Sequence, residues 1–297
     1  KTYATVDASG LTVTGLVNID ATSQTKQNAD ASGFAGGLIA GGLNDATAKS
    51  TTTTHATLNS LTSMTAGGVT VNANGTDDNT VKVVAGSGGL LAGSAASGTT
   101  RAVSNTKAAA DGAWTMNATG GDVTIQANHL SKFGGTVDST QASLAGGSGA
   151  ELYHTVVSNV DAHLGNNTNL NAANLTIDAQ NRTLNNFEAA GAWNVSSASG
   201  GLASLPAGGA TIKINHDLTN ASIGNDSAVH LITSGASPLS MLTMNAHSDI
   251  VSKQKVKIDS GGAVALADAD IKTTAVSNTT MSVGDRAGVR VDRGDIK

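Results

Sequence analysis

The stretch VTVNANG, Val69–Gly75, places Val69, Val71 and Ala73 on one side of an extended chain and Thr70, Asn72 and Asn74 on the other. The chain writes this phrase repeatedly: VNIDAT begins at Val17, VTIQAN at Val123, LTIDAQ at Leu175, LTMNAH at Leu242 and VRVDRG at Val289. The starts are spaced by 52, 54, 52, 67 and 47 residues. Other landmarks keep the same step. GGLIAG at Gly36 returns as GGLLAG at Gly88, and AVSN at Ala102 returns as VVSN at Val156 and AVSN at Ala275. A phrase that carries only shape, repeated at a near-constant interval, identifies a repeat architecture.

Within a unit the period is two. Val17, Ile19 and Ala21 alternate with Asn18, Asp20 and Thr22; Leu38 and Ala40 follow, then Ala46, Ala48, Ser50, Ala56 and Leu58. Val, Ile and Thr favour strands, and Gly, Asn and Asp punctuate them. Only two glutamates occur, Glu151 and Glu188, and no segment has a helical apolar stripe. The fold class is therefore all-β. Aromatics make up 2% of the 297 residues and glycine occupies 36 positions, so the thick core of a sandwich or closed barrel lacks its large side chains. A propeller lacks its aromatic blade signature. The regular alternation and the two prolines argue against a disordered coil.

These features predict a parallel, right-handed β-helix, or β-solenoid, running as one continuous domain over 1–297. Units begin near 17, 69, 123, 175, 242 and 289. The interior is expected to be filled by Val, Ile, Leu and Ala. Thr70, Thr124, Thr176 and Thr243 should form one outward ladder, and Asp20, Asn72, Gln126, Asp178 and Asn245 another. A unit of 52 residues reads as two or three coils, giving about 11 to 15 coils and a rod of roughly 55–70 Å. The long unit, 175–241, holds both prolines, Pro206 and Pro238, with Phe187 and Trp193. It predicts loops at Ser199–Gly209 and Ser234–Ser240 and an added strand at Ala210–Asn215.

The absence of cysteine excludes disulfides and thiolate chemistry. GGLIAGG is too short for a membrane span, so the chain is not expected to be membrane-spanning. A formal charge of −5 gives no support for nucleic-acid binding. Lys253–Lys257, KQKVK, reads as the wet face of a strand. The chain starts at Lys1 without a leader and reads as a piece of a longer polypeptide.

Candidate sites are few. The histidines, at 55, 129, 154, 163, 216, 230 and 247, show no metal-ligand spacing. Two carboxylate pairs bear on a carbohydrate-cleaving β-helix: Asp77 with Asp78, in a turn-like NGTDDN, and Asp268 with Asp270, on one outward face. No GGxGxDxUx calcium turn and no GxxxxGK[ST] phosphate loop is present. Arg293-Gly294-Asp295 reads as a strand end and turn, and the sequons at Asn117, Asn174, Asn194 and Asn278 follow from a composition rich in Asn, Ser and Thr. The expectation is a non-enzyme with no catalytic, cofactor-binding or metal residues and no cofactor.

Units of the type V-x-V/I-D/N-A, followed by GGL-x-AG and an A-V-S/T-N segment, resemble the rod of the filamentous-haemagglutinin group and of leukotoxin-type filamentous adhesins. The resemblance covers Leu11 to Asp295, without the NPNG-like secretion landmark. It implies a stalk segment of a large, two-partner-secreted or related bacterial surface protein, extracellular or on the cell surface. Such a stalk would serve a structural or adhesive role. Its partners would be flanking repeats, end-to-end copies of itself, or host-cell, matrix or glycan surfaces. A self-polymerising matrix, sheath or fibre subunit and a polysaccharide-active β-helix enzyme are the alternatives.

Overall fold

The computed structural model describes residues 1–112, 115–185, 194–232 and 239–296. Its fourteen strands are β1 (Thr2–Thr12), β2 (Leu16–Thr65), β3 (Gly68–Asp111), β4 (Thr115–Leu164), β5 (Asn169–Asn185), β6 (Val195–Gly200), β7 (Ala203–Ile223), β8 (Ala228–Leu231), β9 (Ser240–Val251), β10 (Val256–Gly261), β11 (Val264–Ala265), β12 (Asp268–Val283), β13 (Gly288–Val291) and β14 (Gly294–Ile296). Every strand pairing is parallel, in one 14-stranded sheet that wraps around an axis. The described residues contain no helix. The chain is a parallel β-solenoid.

The register corrects the expected coil count. Leu16 pairs with Gly68 and Val17 with Val69, so one step of 52 residues is a single turn of the solenoid. β2 alone runs for 50 residues around that turn. The described stack is therefore some five coils high, about 25 Å at the spacing of neighbouring strands. Sequence periodicity gives the length of the repeating unit; it carries no information on how often the chain circles within it.

Each coil is a narrow, two-walled loop. One wall, residues 17–33 in the first coil, lies across from the other, 44–58. Side-chain contacts fix the pairing: Ser23 meets Thr54, and Asn44 Nδ2 donates to Gly33 O at 3.3 Å. One coil up, Asn79 Nδ2 donates to Ser50 Oγ at 2.8 Å. The walls meet at a glycine-rich tip, 34–43. At the other end a short third side, carrying Met64, Met116, Leu170 and Val229 in successive coils, closes a wider base. The residues of the phrase line this base: Ile19, Val71, Ile125 and Ile177 are buried, and stacked on one another as the alternation requires. The outward ladder also forms. Asn72 Nδ2 donates to Asp20 Oδ1 at 2.9 Å, Gln126 Nε2 to Asp178 Oδ2 at 3.2 Å and Asn245 Nδ2 to Asp178 Oδ1 at 2.9 Å.

Among the described residues the long unit adds no strand, and its extra residues are divided among several places. Phe133 pairs with Asn185 at a step of 52, but Val137 pairs with Val195 at 58. A bulge at Asp217 adds one residue, and the step reaches 67 between Asn174 and Met241. The two larger insertions fall at 186–194 and 232–240. Residues 186–193, with Phe187 and Trp193, and 233–238, with Pro238, lie outside the described residues. Ala210–Asn215 is a strand, but it takes the same wall position as Leu152–Val157 and is not an addition. The loop expected at Ser199–Gly209 is corrected: only Gly201 and Leu202 interrupt β6 and β7, and Pro206 lies buried in β7 opposite Ser148. The strand of the next coil lapses at Leu266–Ala267, opposite Leu205 and Pro206: Leu266 N still donates to Ser204 O at 3.1 Å, but the proline has no N–H to offer in return.

Two further expectations change. VRVDRG at Val289 is not the phrase in register, because Val289 stacks on Val229 of the third side. The true equivalent of Leu242 is Ile296. Both positions alternate with period two, so the short side imitates the wall. In KQKVK, only Val256 and Lys257 are in a strand; Lys253–Lys255 connect β9 to β10.

Candidate functional site

Two features run the length of the stack: a polar column inside it and an apolar ridge outside it. Neither matches the expected interior of Val, Ile, Leu and Ala alone. Midway between base and tip, inward positions carry Ser23, Thr25, Thr52 and Thr54 in the first coil, then Asp77, Ser104 and Thr106. Above these come His129, Ser131 and Ser158, then Asn181, Thr183 and His216. The column divides the apolar core of the base from a smaller one near the tip. Buried polar groups of this kind are tolerated only when bonded. Asp77 Oδ1 accepts from Thr25 Oγ1 and Thr52 Oγ1, each at 2.5 Å, and His129 Nε2 lies 3.1 Å from its Oδ2 and from Ser131 Oγ. His129 Nδ1 pairs with Thr106 Oγ1 at 3.0 Å. Ser104 Oγ donates to Ser158 Oγ at 3.0 Å, which donates to Asn181 Oδ1 at 2.9 Å. His216 bridges Thr183 at 2.8 Å and Ser248 at 2.5 Å.

The protonation states follow the surroundings. Burial alone would raise the Asp77 carboxyl, but His129, Thr25 and Thr52 hold it below its usual value. Burial pushes His154, bonded to Thr100 and resting on the Phe133 ring, down to about 3. It pushes His216 down to about 4. The opposite case stands on the outer face of the second wall. His163 is partly buried, yet Asp111 and Asp161, each 2.8 Å from one ring nitrogen, raise it to about 9. Asp111, with His163 on one side and Lys107 on the other, falls to about 2.

The candidate residues separate accordingly. Asp77 is not in a turn: it sits inside β3, fully buried, facing His129. Asp268 and Asp270 are exposed on β12, over a shallow groove with Glu151 and Gly209. Asp78 and the two distal aspartates do not join Asp77 in a common site. His129, His154 and His216 belong to the interior, His163 and His230 to surface ion pairs, and His55 to an edge contact with Tyr3. Among the described residues no group of three His, Asp or Glu is placed to hold a metal ion. Arg293 lies in the bend before β14, as a strand end and turn requires. Asn174 and Asn194 donate their side-chain Nδ2 in coil-to-coil bonds, Asn117 accepts at Oδ1 from Asn171, and Asn194 is buried.

The ridge follows the tip. Leu38 is not a core residue; with Leu90, Leu144 and Leu202 it forms a vertical row, 74%, 48%, 51% and 59% exposed. Ile39 and Leu91 form a second row beside it. Alternation would have carried one of the two rows inward, but the tip has no room. A Cβ on Gly42 would come within 2.5 Å of Gly86 O across the bend. The signal for the ridge was present in sequence as the repeated GGLIAG and GGLLAG, whose paired glycines require backbone contact and leave the leucines outside. No helix among the described residues is long and apolar enough to cross a membrane. No protein-family model matches the chain, and no curated protein or solved structure matches it.

Proposed function

We propose that the chain is a rod segment of a filamentous extracellular adhesin of bacteria, structural rather than catalytic. The supporting observation is the register: residue by residue, each coil repeats the one beneath it, from Val17 through Val69, Val123 and Leu175 to Leu242. Such a stack transmits load through parallel backbone bonds and is lengthened by adding coils, without altering those already present. Asp77, the most chemically distinctive carboxylate, is sealed from solvent and serves packing. The resemblance of the repeated phrase to adhesin shafts supplies the cellular setting, at the bacterial surface.

The test is the native polypeptide. Its mass, read by immunoblot from the source cells, should far exceed 29.3 kDa, with the protein at the cell surface or in the medium. Electron microscopy should show thin filaments. A native mass near 29.3 kDa with fibres assembled from it would replace this reading by the polymerising subunit. Hydrolysis of a polysaccharide, lost on replacing Asp268 and Asp270, would replace it by the enzyme.

A further inference from the structure

We propose that the leucine ridge at the tip is a homotypic interface, by which two copies of this solenoid associate side by side. In every coil the tip is free of charge. No Asp, Glu, Lys or Arg lies between Asp30 and Asp45, between Lys82 and Arg101, between Asp138 and Glu151, or between Asp259 and Asp268. Stacking converts these separate intervals into one uncharged stripe parallel to the axis. Exposed large apolar side chains along it, from Phe34 and Leu38 to Val264 and Leu266, range from 38% to 82% exposed. At roughly 100 Å² of apolar surface for each fully exposed side chain, the stripe presents about 600–700 Å². That exceeds what a solitary soluble protein usually leaves uncovered and approaches the ~800 Å² that each partner contributes to a stable interface.

The geometry of the stripe favours a second copy over other occupants. Its side chains rise in steps of one strand spacing, about 4.8 Å, over several coils. A globular partner offers no such repeat, whereas an identical ridge has it by construction. A lipid surface is the weaker match, because the stripe carries no Lys or Arg and none of the Trp or Tyr that anchor interfacial segments. The rim adds a condition: Asp45, Glu151, Asp268 and Asp270 flank the second wall, so pairing should strengthen as salt screens them.

Sedimentation of the full 297-residue chain should show a concentration-dependent dimer, twice 29.3 kDa, more populated at high salt. Replacing Leu38, Leu90 and Leu144 together by Asp should weaken association on the order of 100-fold. Because these side chains point outward, the circular dichroism spectrum should not change. A second measurement does not depend on that variant folding. The chain has no cysteine, and in either symmetric arrangement of two rods the central coil meets its own equivalent. Leu144→Cys should therefore cross-link between copies on mild oxidation, while Thr124→Cys, on the wall, should not. A wild type that stays monomeric at high micromolar concentration overturns the proposal, as does equal cross-linking of the two variants. An open-ended series of masses, unchanged by the aspartates, assigns association to the coil ends and also overturns it. A monomer that floats with phosphatidylcholine vesicles gives the ridge to lipid instead.

Discussion

His129 lies directly above Gly75 in the stack, and its imidazole occupies the space that a side chain on Gly75 would need. A Cβ there would come within 2.5 Å of His129 Nδ1 and 2.8 Å of Thr106 Oγ1. The glycine opens one layer so that the next can place a bulky polar ring between the walls. Gly75→Ala should therefore cost about 1–3 kcal/mol through crowding in the column. Gly149→Ala, where nothing lies within 4 Å of the added carbon, should change stability by less than about 0.5 kcal/mol. Chemical denaturation of both variants checks the difference, and equal values would contradict the stacking.

Ile125 and its neighbour Thr124 test the inward and outward faces of the phrase. Ile125 is completely buried, whereas Thr124 stands on the outer wall between Thr70 and Thr176. Ile125→Asp should cost several kcal/mol, at least about 3, by burying a carboxylate without partners. Thr124→Asp should cost no more than about 1 kcal/mol. Thermal melts that shift equally for the two would reverse the assignment.

Asp77 holds three partners at once, so its removal leaves more than a space. Asp77→Ala removes the carboxylate that accepts from Thr25 and Thr52 and one of the neighbours of the His129 imidazole, which keeps Ser131 and Thr106. A loss of roughly 3–5 kcal/mol is expected. Replacing Asp77 and His129 together by apolar residues should recover part of it, because the pair is costly to desolvate as well as costly to break. A double variant as unstable as the sum of the single ones would show that the two residues act independently.

Stability should peak slightly below neutral pH. His154 and His216 are held neutral at about 3 and about 4, against 6.5 for a free histidine. Their contribution is complete above 6.5 and is lost as pH falls towards those values, since the unfolded chain then binds protons that the folded chain refuses. His163, raised to about 9, works in the other direction: its contribution is complete below 6.5 and is lost as pH rises through about 9. Melting temperature against pH should thus fall on both sides of about 6.5. His163→Gln should flatten the alkaline limb and leave the acid limb in place.

What the sequence disclosed and what it hid divide along physical lines. Ile19, Val71, Ile125 and Ile177 were legible because period-two alternation and a fixed repeat both point to them, and the Asp20–Asn72 and Gln126–Asp178 rungs followed from the same stacking. Asp77 was not, because NGTDDN has the composition of a turn; only the facing wall, with Thr25 below and Thr52 across, makes it a core residue. Leu38 was misassigned inward for the opposite reason: alternation holds only where two walls stand apart, and at the tip the glycines bring backbone to backbone. The proline at 206 sits in a strand because its missing N–H falls opposite a gap in the neighbouring coil, a relation between residues some 60 apart that no local rule contains.

A wall built from turns this long also governs how the molecule comes to exist. The backbone pairings that tie each coil to the next all join residues 52 or more apart, as with Val17 and Val69. Closing a loop of that length costs on the order of 3–4 kcal/mol of chain entropy before any contact repays it. The first coil has nothing to close against and is therefore the slow step. Each later coil lays down along a finished edge, zipping from the point where it last touched. The chain should therefore fold by templating, in one direction or the other from its first formed layer.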